Sequence, residues 1–242
     1  MNSSVEKCVG KSVENWKLKD PWTWREFAAL LLIEFGFVIG LLKFAVKPLY
    51  TYWLGDELYS GTLTGLTIAI VLLGGVYLIA LRPKQLSWRE LGVRAFPAKD
   101  WGRILLWTVV LIIGSVLVME LTNLLGNTYE NSKTEAMQQH VTFFTVLIAF
   151  VSAAIISPLY EEIFYRGFIY RWLRTRLSMR SAILLSSLIF TIVHIPTYNA
   201  MPVNFISGIV FAWAYERTNS IWPAVVVHGL VNGIAVVLTS LG

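Results

Sequence analysis

The chain has 242 residues, of which 56% are hydrophobic and only 14% charged, with a mean hydropathy of +0.62 and a net charge of +5. Charged residues make up about a quarter of an ordinary soluble domain, so this composition excludes one and indicates an integral membrane protein. The single cysteine, Cys8, excludes an intrachain disulfide and a multi-cysteine metal site.

Residues 1–23 read as a polar arm with no apolar h-region, so no cleavable signal peptide is expected. The arm runs into Pro21-Trp22-Thr23-Trp24, whose two indoles suit a belt at the level of the lipid headgroups. Apolar runs of spanning length follow at 26–46, 61–81, 104–125, 143–170, 181–195, 203–216 and 221–240. The expected fold is all-α: a polytopic membrane helix bundle of about seven transmembrane helices, with a core of the last four. The expected division is an N-terminal arm at 1–23, N-terminal helices and an interfacial loop at 24–139, and a C-terminal core at 140–242. The loop from Arg82 to Arg103 is amphipathic enough to lie along the inner interface, and the segment at 126–140 reads as a polar, mobile outer loop.

Lysine and arginine set orientation. Lys7, Lys11, Lys17, Lys19 and Arg25 precede the first span, six basic residues from Arg82 to Arg103 lie between the second and third, and Arg171, Arg174, Arg176 and Arg180 follow the fourth. Only Lys43, Lys47 and Lys133 fall on the other side. This pattern predicts a multi-pass plasma-membrane protein with a cytoplasmic N-terminus. It accounts for the basic charge without a nucleic-acid surface, so the lipid bilayer is the expected partner and nucleic acid is not.

The stretch Ser157-Pro158-Leu159-Tyr160-Glu161-Glu162-Ile163-Phe164-Tyr165-Arg166-Gly167 places two acids and a base inside a span. One charge at the bilayer centre costs about 2.5–3.5 kcal/mol on insertion scales, so these groups need partners, water or a chemical task. Glu162 and Arg166 stand at i,i+4 in the favoured order for an ion pair. Glu161 lies about 100° round the helix and is left to point elsewhere. Pro158 has no N–H and bends or opens the helix above them.

The fifth span ends in Phe190-Thr191-Ile192-Val193-His194, and the seventh carries His228-Gly229-Leu230-Val231-Asn232. A lone membrane histidine is more often an interhelical hydrogen-bonding residue than a catalyst. His228 and Asn232, however, share one helix face, and Gly229 and Gly233 beside them let a neighbouring backbone come close. At about 1.5 Å per residue, Glu161, His194 and His228 can meet at middle depth. Glu120 reads as facing the outer interface. Glu34 sits mid-span with no companion at helical spacing and reads as a cavity-lining group.

Glu161-Glu162-x-x-x-Arg166, Phe190-x-x-x-His194 and His228-x-x-x-Asn232, in that order on three of the last four spans, resemble the CPBP family. These are the CAAX-protease and bacteriocin-processing intramembrane proteases, also called the Abi family. Leu91-Gly92-Val93-Arg94 is similar to a stretch often found ahead of that core. The resemblance implies an intramembrane endopeptidase acting on a membrane-associated peptide or protein. It also implies a catalytic set of Glu161, Glu162, Arg166, His194, His228 and Asn232. Within it, Glu161 is expected to act as general base on a water oriented by His194, with His228 and Asn232 donating to the developing oxyanion. Glu162 with Arg166 would neutralise charge and fix the helix face.

No cofactor is favoured. Glu161, His194 and His228 also form a His₂Glu set of the catalytic-zinc type, although no His-Glu-x-x-His is present. The competing reading is a non-proteolytic membrane scaffold whose polar core positions a partner membrane protein. A transporter ranks third, since no repeat symmetry or pair of broken helices is visible. Substrate identity and oligomeric state are not encoded in any motif.

Overall fold

The computed structural model describes residues 20–124, 132–139 and 141–241. The polar arm through residue 19, with Cys8, and the loop residues Asn127, Glu130, Asn131 and His140 lie outside the described residues. The described chain is all helical. The helices are α1 (Trp24–Leu54), α2 (Glu57–Lys84), α3 (Ala98–Leu124), α4 (Ser132–Gln139), α5 (Phe143–Arg174), α6 (Met179–Ile192), α7 (Met201–Thr218) and α8 (Trp222–Leu241). Seven of them coincide with the apolar runs, and the short α4 falls inside the segment expected to be an irregular loop.

Among the described residues, α1, α2, α3, α5 and α8 are long and apolar enough to cross a membrane. The 14-residue α6 is shorter, and the 18-residue α7 carries more polar groups. Both pack against their neighbours rather than meeting lipid all round. The buried face of α7 includes Ser207, Gly208 and Glu216, and Glu216 accepts from the Tyr170 hydroxyl at 2.7 Å and from Arg174 at 3.3 Å. Burial against other helices relaxes the demand for apolar side chains that lipid would impose.

The bundle is apolar outward and polar inward. Leu32, Phe44, Leu105, Ile113, Leu117 and Leu238 face out, whereas Glu34, Glu161, Glu162, Arg166 and His228 are buried. Such a distribution is stable only where hydrocarbon replaces water around the belt. The chain is therefore a multi-pass membrane protein.

Several helices carry turns widened to i→i+5 hydrogen bonding, at Ile33–Val46, Val76–Leu81, Val151–Ile156 and Glu162–Tyr170. Pro158 explains one of them. Lacking an N–H, it cannot bond back to Ala154, and the Ser157 N–H reaches past Ala153 to the Ser152 carbonyl. The helix stays continuous, but the carbonyls of Ala153 and Ala154 lose their usual donors.

The connection between α2 and α3 is less exposed than an interfacial loop. Leu91 is fully buried, seated against Gly167 of α5. Gly92 adopts φ +87 with Tyr215 against it, a conformation that a side chain would strain. Its carbonyl accepts from Ile221 N at 3.0 Å, Arg94 donates to Asn219 at 3.1 Å and Arg171 pairs with Glu90 at 3.1 Å. Burial, first, and the neighbouring Arg171 hold the Arg94 guanidinium below its ordinary pKa. The loop thus ties the arginine-rich end of α5 to the α7–α8 connection.

The two indoles before α1 also part company. Trp24 is 68% exposed, whereas Trp22 is 2% exposed. The Trp22 indole N–H donates to the Ala80 carbonyl at 2.8 Å, and its ring meets Phe168 edge-on. Trp22 is a core residue, not a headgroup anchor, because α2 offers its ring nitrogen an acceptor.

Candidate active site

Helices α5, α6, α7 and α8 meet around one buried cluster. On α5, Arg166 donates to Glu162 at 3.1 Å, and its other terminal nitrogen reaches the Gly208 carbonyl of α7 at 3.3 Å. The guanidinium lies 4.3 Å over the Phe190 ring of α6 and 5.1 Å from Phe211 of α7. A buried cation survives on such a combination of counter-ion, backbone acceptor and aromatic faces. The i,i+4 pair expected from spacing is present.

The Glu162 oxygen that receives Arg166 also binds His228 Nδ1 of α8 at 2.9 Å. A carboxylate only accepts, so Nδ1 carries a hydrogen. The imidazole is stacked on Phe211 with centroids 4.5 Å apart, which leaves one ring orientation. Its Nε2 then stands 3.9 Å from Glu161 Oε2. That is too long for a direct hydrogen bond and short enough for a single polar atom to hydrogen-bond to both groups.

Glu161 is fixed from behind by Ser157. The hydroxyl, one turn earlier on α5, donates to Oε1 of the carboxylate and turns Oε2 toward His228. Ser157 has an i,i+4 relation to Glu161, a signal present in the sequence but given no role there. Tyr160 adds its hydroxyl 3.5 Å from Ser157 Oγ.

His194 follows the end of α6 in a tight turn. Its Nδ1 hydrogen-bonds the Phe190 carbonyl at 2.6 Å, so Nε2 is the nitrogen that bears the lone pair in the neutral ring. Both imidazoles flank Phe190, with ring centroids 4.8 Å away for His194 and 6.1 Å for His228. Asn232 sits one turn beyond His228, and its amide donates to the Ala153 carbonyl at 2.9 Å. Gly229 lies directly on the Ala154 carbonyl. The small-residue face of α8 therefore docks on the two carbonyls that Pro158 and the widened turn expose.

The structure joins Glu162, Arg166 and His228 by direct contacts, sets Glu161 3.9 Å from His228, ties His194 to them through Phe190, and sets Asn232 as a strut between α8 and α5. Glu120 is exposed near the end of α3, as expected. Glu34 of α1, without a partner at helical spacing, is only 2% exposed and lies beside Tyr165 within electrostatic reach of Glu161. Phe190 stood in the motif Phe190-x-x-x-His194 and Phe211 was legible only as an apolar residue; nothing in their spacing marked either as a wall of the site.

Among the described residues no three histidine, cysteine or carboxylate side chains are grouped to hold a metal ion. His228 Nδ1 is taken by Glu162.

Residues 142–234 match the model of the Rce1-like type II CAAX prenyl endopeptidases. That segment contains every residue of the cluster on α5 to α8. The chain is a membrane peptidase similar to the CAAX proteases. It is 29% identical over 228 residues to the membrane-embedded CAAX protease MroQ of Staphylococcus aureus strain USA300, covering 90% of each chain. It is 31% identical over 114 residues to the membrane peptidase YdiL of Bacillus subtilis strain 168, covering 45% of this chain and 43% of the relative. No solved structure matches it.

Proposed function

We propose that this peptidase hydrolyses a peptide bond of a membrane-associated peptide or protein by glutamate-activated water, without a metal. The supporting observation is the gap of 3.9 Å between Glu161 Oε2 and His228 Nε2, whose far sides are held by Ser157 and Glu162. A carboxylate and an imidazole both restrained from behind form a preorganised pair, the arrangement that general-base catalysis with oxyanion stabilisation needs.

In this reading Glu161 takes a proton from water, and the resulting hydroxide adds to the scissile carbonyl carbon. The carbonyl oxygen becomes negative and is met by His228, protonated against Glu162 and donating through Nε2. Collapse of the adduct breaks the C–N bond, and the proton on Glu161 passes to the departing amine. His194 Nε2 orients the water. Asn232 keeps α8 seated so that His228 holds its position, with a second amide hydrogen left for the oxyanion. Oxyanion donors of this kind contribute about 2.7–4 kcal/mol in other enzymes.

A cavity of about 330 Å³ between α2 and α5, lined by Thr62, Leu147, Ile148, Val151, Ser152 and Ile156, ends one residue before Ser157. Its apolar walls suit a lipidated or hydrophobic segment approaching from the bilayer. The matched family model, described as a CAAX prenyl endopeptidase, points the same way, to a prenylated substrate. The basic ends of the helices support a reading as a plasma-membrane protein with a cytoplasmic N-terminus.

The test is cleavage of a farnesylated C-terminal reporter peptide by the purified protein in lipid nanodiscs. Cleavage that stops in Glu161→Gln and persists in a preparation free of zinc supports the reading. Stoichiometric zinc, lost together with activity on chelation, refutes the metal-free mechanism.

A further inference from the structure

His194 does not lie in a helix. Helix α6 ends at Ile192, and the backbone through His194 and Ile195 is held by turn bonds, from His194 N to Thr191 at 3.0 Å and from Ile195 N to Ile192 at 3.1 Å. The last carbonyls of a helix have no intrahelical donor, so the orientation of an imidazole there depends on what caps them. The cap comes from α1. The Lys43 ammonium donates to the Val193 carbonyl and, at 3.4 Å, to the Ile195 carbonyl. These two carbonyls immediately precede and follow His194.

A cation at a helix C-terminus is favourable, but the direction of this side chain is informative in itself. A lysine within a span ordinarily extends toward the headgroups. Lys43 instead turns inward to the carbonyls of a helix 150 residues later in the chain. The widened turns of Ile33–Val46 make this reach available. At 3.6 residues per turn, positions nine apart fall on opposite faces. At roughly 4.4 residues per turn, as in i→i+5 geometry, they fall on one face. Glu34 and Lys43 are nine apart, and both face the bundle within electrostatic reach of each other. Such stretches recur at functional sites.

We propose that Lys43 is a positioning residue for His194, so that α1 completes the active site from outside the segment shared with the family model. It fixes the turn on both sides of the imidazole and holds Nε2 in register with Glu161. Its consequence for cleavage rests on the glutamate–water reading, whereas the positioning itself does not.

The sequence holds three histidines, so imidazole signals of ¹⁵N-histidine-labelled protein in nanodiscs are assignable by single substitution. The probe is exchange of the His194 Nδ1 hydrogen that is bonded to the Phe190 carbonyl. Lys43→Met is expected to speed that exchange about tenfold or more, to leave the His228 Nδ1 hydrogen on Glu162 unchanged, and to be corrected by Lys43→Arg. On the farnesylated reporter, kcat falls about 10²-fold with KM unchanged. If Lys43→Met does not fold, Lys43→Gln, which is shorter and neutral, gives the same comparison. Unchanged exchange at His194, or equal acceleration at both histidines, overturns the proposal. Exchange is read without substrate, so those results leave the role of Glu161 standing. Cleavage that survives Glu161→Gln, in contrast, removes that role and leaves Lys43 in place.

Discussion

Asn232 of α8 donates its side-chain amide to the carbonyl of Ala153 on α5 at 2.9 Å. That carbonyl is available because Ser157, its usual donor four residues on, bonds to Ser152 instead. The proline that follows Ser157 thus has a tertiary consequence. It opens the backbone of α5 where the helix bearing His228 must attach, and so sets the distance from His228 to Glu161.

Asn232→Ala should therefore act on α8 as a whole. Leaving the Ala153 carbonyl without its donor costs about 1–3 kcal/mol, visible as a lower thermal midpoint in detergent. Cleavage should fall more steeply than stability, because His228 shifts with the helix. Asn232→Asp, which offers no amide hydrogen when ionised, should behave like the alanine variant.

Gly229→Ala tests the same docking from the other side. Its Cβ would fall on the Ala154 carbonyl, which is backbone and cannot turn aside, so α8 must move out. We expect about 1–3 kcal/mol of destabilisation and loss of cleavage. Gly74→Ala, where a Cβ meets nothing, should be tolerated in the same assays.

How much of this could be read from the chain depends on whether turns are regular. Glu162 with Arg166, and His228 with Asn232, are i,i+4 pairs whose shared faces follow from ordinary helical geometry, and the seven helices that coincide with apolar runs follow from apolar patterning. The partner of Asn232 was not legible, since it depends on a widened turn whose hydrogen bonds have no sequence spacing of their own. The relation of Glu34 to Lys43 was hidden for the same reason: an ordinary helix puts them on opposite faces. Trp22 resembled a headgroup anchor because its acceptor, Ala80, lies 58 residues away. Each shortfall arises where a long-range contact overrides a local period.

The buried Glu162–Arg166 pair makes a further prediction. Glu162→Gln removes the counter-ion of a guanidinium that is 1% exposed and should destabilise the protein by about 3–5 kcal/mol. Removing both charges in Glu162→Gln with Arg166→Met should cost less than the sum of the single changes. Additive effects, measured by denaturation in detergent, would show that the two groups are not coupled.

The cavity between α2 and α5 separates substrate entry from chemistry. Val151→Trp would occupy it without touching Glu161, Glu162 or His228. KM for the farnesylated reporter should rise about tenfold while kcat is retained. A fall in kcat at unchanged KM would place the route elsewhere.

The central claim is that Glu161 activates the water that cuts a peptide chain inside the membrane. The most direct measurement compares, by mass spectrometry, the membrane-associated peptides of cells carrying the native protein with those of cells carrying Glu161→Gln at equal abundance. The account predicts that one or more peptides persist uncleaved in the variant, together with loss of their shorter products. Identical peptide populations in the two cells would contradict it and leave the polar core as a scaffold for a partner membrane protein.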